Sequence, residues 1–188
     1  MFNEIFTNIS FSEAEIKIID SVVQKRNYKK GDTIIKVGDV VNDIYFITEG
    51  CLRTFYTDDQ GKDHTIQFGI KDWWISDFTA FFSLTKAIMT LEVLQDATLF
   101  KISRSDRAYL FQTLPSTETH IRKKLESAFA AFQKRTISNL SETVKERYIR
   151  FNDEFPHIEK RIKNYHIASY LGITTESLSR IRKELSKN

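Results

Sequence analysis

The sequence contains very little cysteine and has no obvious metal-binding pattern. Cys51 is the only cysteine among 188 residues, so the chain can form no internal disulfide and cannot supply the four thiolates of an iron–sulfur cluster. Four histidines are scattered along the chain, at His64, His120, His157 and His166. Because no two of them share an element at ligand spacing, we expect neither a structural zinc site nor a resident cofactor.

Long apolar segments and leader patterns are also missing. No run approaches the roughly 18 apolar residues that span a bilayer. The first residues, MFNEIFTNISFSEAEIK, show no basic region followed by an apolar block, as a signal peptide would. The sequence therefore predicts a cytoplasmic protein with no membrane partner.

The motifs of common enzyme classes are absent as well. The sequence shows no glycine-rich phosphate loop, no serine or cysteine nucleophile in a recognisable setting, and no cluster of metal ligands. We therefore expect a protein that is not an enzyme.

Positive charge is concentrated at one end of the chain. The composition, 41% hydrophobic and 28% charged, suits one or two small domains with a real core. Residues 114–188 contain 15 Lys and Arg against 9 Asp and Glu, whereas the preceding part carries a net charge of −3. A basic C-terminal third suggests a polyanionic partner for that third, although a solvated helical surface would look the same.

The hydrophobic pattern changes twice along the chain. The first 28 residues favour a helix that Ser10 or Ser12 can cap, with Ile16, Ile19 and Val23 at helical spacing. Short β-branched and aromatic runs then alternate with Gly-Asp, Glu-Gly and TDDQGKD turn signals, up to a last clear strand, ATLFKIS. This spacing predicts an antiparallel sandwich or barrel.

Helical periodicity returns after residue 103 and is most regular between residues 116 and 140. The apolar positions step along this helix by three or four residues, close to the repeat of a coiled coil. We expect a homodimer seam here, while packing on the chain's own β-domain is the alternative. The seam positions are Ile121, Leu125, Phe129, Phe132 and Leu140.

The segment NYHIASYLGITTESLSRIRKEL, residues 164–185, predicts two short helices joined at Gly172. A helix-turn-helix needs a small residue where the helices touch, which Ala168 provides, and a residue that tolerates positive φ in the turn. Leu178 and Ile181 supply the apolar contacts of the second helix. Thr174 or Thr175 can cap it.

The second helix of this pair has two different faces. Its apolar residues cluster on one side and its charged residues on the other, so one side can dock while the other enters a DNA groove. Arg180 suits a guanine edge, Glu176 a cytosine amino group, and Lys183 a phosphate. The predicted DNA-binding residues are Thr175, Glu176, Ser177, Arg180, Lys183 and Lys187.

The order of these parts resembles the Crp/Fnr family of bacterial transcription regulators. KKGDTIIKVGDVVNDIYFITEGCLRTF carries the resemblance in the β-region, and IASYLGITTESLSRIRK carries it near the C-terminus. The resemblance implies an α+β fold with a jelly-roll-like, double-stranded β-roll sensor domain (1–114), a dimerisation helix (115–140) and a helix-turn-helix domain (141–188). It also implies a homodimer on a near-palindromic operator of double-stranded DNA, with RNA polymerase as a protein partner.

The effector does not follow from the resemblance. Members that bind cyclic AMP have a Gly-Glu pair for the ribose and an Arg-Ser pair for the phosphate. These pairs fall here on Ser76-Asp77 and near Ala87-Ile88, so no arginine stands at the phosphate position. A buried phosphate without a cation is disfavoured, and we expect an unknown small-molecule effector other than cyclic AMP.

A second departure concerns the end of the sequence. Typical members of the family follow the recognition helix with a small β-hairpin wing, whereas this sequence ends at Asn188. We therefore expect some phosphate contacts to come from elsewhere or to be absent. The competing hypothesis is a signal-binding module that acts through protein partners and retains a vestigial helix-turn-helix; salt-sensitive binding to duplex DNA distinguishes the two.

Overall fold

The computed structural model describes residues 4–156 and 158–186. In this part of the chain a helix precedes a β-rich region, and further helices follow it. The helices are α1 (Glu13–Val22), α2 (Phe78–Ser83), α3 (Arg104–Thr113), α4 (Pro115–Ser141), α5 (Val144–Glu154), α6 (Asn164–Leu171) and α7 (Thr175–Leu185), with a 3-10 turn at Ile158–Lys160. The strands are β1 (Gln24–Tyr28), β2 (Thr33–Ile35), β3 (Asp43–Thr57), β4 (Asp63–Gly69), β5 (Trp74–Ile75) and β6 (Thr90–Ser103).

The strands form one six-stranded sheet whose main path runs β1-β6-β3-β4. Strand β2 also pairs with β6, and β5 pairs with β3, both in antiparallel orientation. This antiparallel sheet with helices before and after it confirms the α+β class that the resemblance implied.

Gly50 allows strands β3 and β6 to approach each other closely. Its φ is +100°, a conformation that residues with a Cβ rarely adopt. A Cβ at this position would lie 2.6 Å from the Ala97 Cβ and from the Asp96 carbonyl oxygen. Glycine is therefore required here by both backbone conformation and space.

The first helix is shorter than its periodicity predicted. Ser12 caps it in a capping box with Glu15, as one of the two expected caps, but the helix ends at Val22. The next residues form β1, which pairs with β6 from Gln24 opposite Lys101 onward. Strand pairing thus overrides the helical pattern over the last residues of the predicted helix.

The chain divides into two compact units that differ from the predicted domains. One unit, called here the β-unit, contains residues 4–54 and 68–128, and the C-terminal unit contains residues 55–67, 129–156 and 158–186. The division falls within α4 and within strands β3 and β4. The domain boundaries at 114 and 140, which the resemblance implied, stay a prediction.

Each unit has its own apolar core. In the β-unit, Phe46, Phe81, Phe100 and Ile121 are among the side chains with at most 2% of their surface exposed. In the C-terminal unit, the rings of Phe151, Phe155 and Tyr170 meet with centroids 5.4–5.8 Å apart. Burial of such side chains removes apolar surface from water and stabilises each unit.

Candidate nucleic-acid interface

The turn between α6 and α7 depends on Gly172. Its φ is +69° and it ends α6 in the left-handed conformation, with its N–H directed to the carbonyls of Ala168 and Ser169. Thr174 then caps α7, because its hydroxyl accepts from the Ser177 N–H at 3.2 Å. The local geometry places two helices in contact across a turn of three residues.

One face of α7 is buried against α6. The Leu178 side chain is fully buried and Ala168 is 2% exposed, while Ile181 and Leu185 are half-buried. A small residue at position 168 allows the close approach that the sequence predicted. The apolar face of α7 is therefore fixed within the C-terminal unit.

The opposite face of α7 is open to solvent. Glu176, Arg180 and Lys183 are exposed, whereas Thr175 and Ser177 are half-buried in the first turn of the helix. These five predicted residues thus all lie on α7. Lys187, the sixth, lies outside the described residues.

Glu176 carries a preorganised negative charge at the start of α7. Its pKa is held below the usual value by its own backbone N–H first, and then by the hydroxyls of Thr174 and Thr175. The Thr175 hydroxyl donates to its Oε1 at 3.2 Å. Near neutral pH this carboxylate is available as a hydrogen-bond acceptor.

A second arginine of α7, Arg182, is engaged within the protein. Its Nε lies 2.8 Å from Glu159 Oε1 and donates to the Tyr148 hydroxyl at 3.1 Å. Its Nη1 donates to Asn164 Oδ1 at 2.7 Å. These bonds tie α7 to α5, to the 3-10 turn and to the first residue of α6. Arg182 thereby orients the helix from which Arg180 projects.

The predicted dimer seam separates into two parts. Ile121 is 1% exposed and belongs to the core of the β-unit, and Leu125 packs against that core. Ile121 was therefore wrongly placed in an intersubunit seam, because its helical turn packs on its own sheet. Phe129, Phe132 and Leu140 are 62%, 53% and 85% exposed.

The four predicted pocket residues do not form an open ligand site. Ser76 is buried and donates to the Asp43 carbonyl at 2.8 Å. Asp77 and Ala87 are buried as well, whereas Ile88 is half exposed. A cavity of about 210 Å³ in the same unit is lined by other residues, namely Val40, Val41, Asn42, Leu84, Thr85, Lys86 and Arg104.

Sequence reasoning missed Arg135, which is a central contact of the C-terminal unit. Its guanidinium stacks on the Tyr170 ring at 3.7 Å and donates to the carbonyls of Thr65, Ile66 and Tyr170. Burial lowers the pKa of Arg135 from its ordinary value. Its only signal in the sequence is a cation on a long helix, and such residues are usually solvated.

One family of known domains matches the β-region. Residues 25–113 match the cyclic nucleotide-binding domain family. This segment is therefore similar to cyclic nucleotide-binding domains. No curated protein sequence matches the chain.

Solved structures with a similar fold match more of the chain than residues 25–113. CLP, a c-di-GMP-responsive global regulator from Xanthomonas campestris, superposes with a TM-score of 0.74 at 16% identity, over 94% of this chain and 92% of that one. A regulator assigned to the Crp/Fnr family from Eubacterium rectale gives 0.70 at 18% identity, over 94% and 84%. FixK2 from Bradyrhizobium japonicum gives 0.68 at 18% identity, over 88% and 85%. The predicted Crp/Fnr resemblance is confirmed at the level of the fold.

The described residues contain neither a membrane-spanning helix nor a cluster of metal-binding side chains. None of the helices in this part of the chain combines the length and apolar character needed to cross a membrane. Within the same residues, no three His, Cys, Asp or Glu side chains cluster so as to hold a metal ion.

Proposed function

We propose that the protein is a DNA-binding transcription regulator of Crp/Fnr type that acts as a homodimer on a near-palindromic operator. The observation that carries this proposal is the two-faced character of α7. One face is anchored by Leu178 and Arg182, and the other presents Glu176, Arg180 and Lys183 to solvent. A helix held in this way is suited to enter a major groove.

The exposed side chains of Glu176, Arg180 and Lys183 each have a role in this proposal. Arg180 donates two hydrogen bonds to the O6 and N7 edge of a guanine, and Glu176 accepts from a cytosine amino group. Lys183 neutralises a phosphate. Thr175 and Ser177, in the first turn, and Lys187, beyond the described residues, complete the set of DNA contacts, and α6 with its Gly172 turn serves as the first half of a helix-turn-helix.

The exposed apolar side chains of α4 support a homodimer. Phe129, Phe132, Ile137 and Leu140 are each more than half exposed along one helix, an arrangement that a second copy of the helix would cover. Ile137 joins the seam in place of Ile121. A two-fold dimer of this kind matches the symmetry of a palindromic operator.

The cyclic nucleotide-binding domain acts in this proposal as a sensor whose effector is not cyclic AMP. Ala87 stands where the resemblance places the phosphate-binding arginine, and burial of a phosphate without a cation is unfavourable. RNA polymerase is the proposed protein partner, and the cytoplasm the proposed location.

Selection of DNA fragments from the source genome tests the proposal. The purified protein is mixed with sheared genomic DNA, and the bound fragments are sequenced after washing at moderate salt. We expect enrichment of a motif with two inverted half-sites. The centres of the half-sites should lie about 10 base pairs, or a multiple of that distance, apart. Uniform recovery of all fragments would instead favour the competing hypothesis, a signal-binding module that acts through protein partners.

A further inference from the structure

The carboxylate of Asp77 lies inside the β-unit and accepts three backbone hydrogen bonds. The residue is only 1% exposed. Its Oδ1 accepts from the Ala80 N–H at 3.0 Å, and its Oδ2 accepts from the N–H groups of Ile88 and Met89 at 2.8 Å and 2.9 Å. Two adjacent amides from a later segment of the chain thus converge on a single oxygen.

Capping of α2 accounts for only one of these three bonds. An N-cap side chain accepts from a residue two or three positions later, which here is Ala80. Two other caps of the same unit, Ser12 and Ser103, each accept the N–H of a residue in their own helix, Glu15 and Asp106 respectively. The bonds from Ile88 and Met89 are therefore additional, and they join α2 to the segment that precedes β6.

In the described residues, the carboxylate of Asp77 is stabilised by backbone N–H groups and not by a cationic side chain. Asp77 forms no ion pair within residues 4–156 and 158–186. A buried carboxylate without hydrogen-bond donors is strongly disfavoured, whereas backbone N–H groups aimed at one oxygen stabilise an anion. The amides of Ile88 and Met89 therefore form an anion site, and the side chain of Asp77 occupies it.

We propose that Asp77 is an internal ligand, whose carboxylate fills an anion site that would otherwise accept a free carboxylate or phosphate. The site lies where the Crp/Fnr resemblance places the phosphate-binding pair, Ala87 and Ile88. With both donors engaged and a negative charge already present, an external anion is excluded. This inference concerns the cyclic nucleotide-binding domain and stands whether or not the C-terminal unit binds DNA.

The proposal predicts that removal of the side chain creates a small anion site. In Asp77→Ala, the amides of Ile88 and Met89 lose their acceptor, and we expect the melting temperature to fall by about 5–10 °C. Sodium formate at about 0.1 M supplies the missing carboxylate, so it restores a large part of this loss by binding the folded state. Sodium chloride at equal ionic strength does not.

Two variants serve as controls. Asp77→Asn keeps one acceptor oxygen and still fills the space, so it is destabilised but not rescued by formate. Ser103→Ala removes an ordinary cap in the same unit, so its smaller loss of stability is also unaffected by formate. If Asp77→Ala does not fold in chloride, the yield of its refolding in formate replaces the melting temperature as the readout.

Contrary results are readily recognised. Equal melting temperatures of Asp77→Ala and the wild type, or a loss that formate and chloride affect alike, would overturn the proposal and leave a simple helix cap. A rise in the wild-type melting temperature with millimolar cyclic AMP or inorganic phosphate would also overturn it, because the site would then be open. No such rise is expected.

Discussion

Arg180 and Arg182 are two residues apart on α7 but have different surroundings. Arg180 is exposed, whereas Arg182 is held by Glu159, Tyr148 and Asn164. We expect Arg180→Ala to weaken binding to the specific operator by about 1–3 kcal/mol and to relax the preference at one base pair per half-site. Its thermal stability should remain that of the wild type.

The matched variant Arg182→Ala should show the opposite pattern. Loss of its hydrogen bonds to a carboxylate and two neutral groups lowers the free energy of unfolding by about 1–3 kcal/mol, while the base preference of the remaining folded protein is unchanged. Fluorescence anisotropy with operator variants, combined with thermal melts of both proteins, measures the two effects. Altered base preference in Arg182→Ala, with none in Arg180→Ala, would contradict the assignment of roles.

His120 provides a pH-dependent contribution to stability. Burial, with a smaller contribution from Lys124, lowers the pKa of His120 below its usual 6.5, and its buried Nε2 has no hydrogen-bond partner within the described part of the chain. Below about pH 6.5, His120 therefore binds a proton more readily in the unfolded chain than in the folded chain. The stability contributed by neutral His120 is present above that pH and is lost as the pH falls toward the lowered pKa.

The variant His120→Phe tests this contribution. Phenylalanine keeps a ring next to Phe6, whose centroid lies 5.8 Å from that of His120, but it cannot be protonated. Between pH 7.5 and 5.5 the melting temperature of the wild type should fall more than that of the variant. Parallel melting curves over this range would show that His120 does not contribute to the pH dependence.

At the scale of the element, α4 combines two kinds of apolar position. Phe129 and Phe132 are exposed, so their replacement by Asp should leave the subunit folded but prevent association, because unpaired carboxylates would be buried in the seam. Ile121→Ala should instead lower the free energy of unfolding by about 3 kcal/mol, since Ile121 is buried in its own subunit.

Sedimentation and chemical unfolding distinguish these outcomes. The wild type should sediment at twice the subunit mass of 22.0 kDa at micromolar concentration, and the double Phe-to-Asp variant at that of one subunit. A monomeric wild type would contradict the proposed seam.

Elements with a strong local pattern could be predicted from the sequence. Thr174 and Gly172 delimit α6 and α7 because capping and positive φ are local requirements. The end of α1 could not be predicted, since β1 is formed by pairing with residues about 70 positions later. The burial of Ile121 and the hydrogen bonds of Asp77 could not be predicted either, because each depends on residues that the fold brings close from other parts of the chain.

At the scale of the whole molecule, the uneven distribution of charge was visible in the sequence, and the fold is consistent with it. The net charge of +6 in residues 114–188 includes Arg180 and Lys183 on the exposed face of α7. It also includes Arg135 and Arg182, which act within the protein. Counting charges therefore locates the basic part of the chain, but it does not distinguish the exposed cations from those engaged within the protein.

The salt dependence of duplex DNA binding tests the central proposal most directly. Fluorescence anisotropy with a selected operator should give an affinity that falls steeply with salt, because cations that neutralise phosphates release counterions. Lys183→Ala should flatten the slope of log K against log salt by about one unit per chain, whereas Lys25→Ala, an exposed cation of β1, should leave it unchanged. Absence of duplex binding at low salt, or binding that is insensitive to salt, would contradict the account.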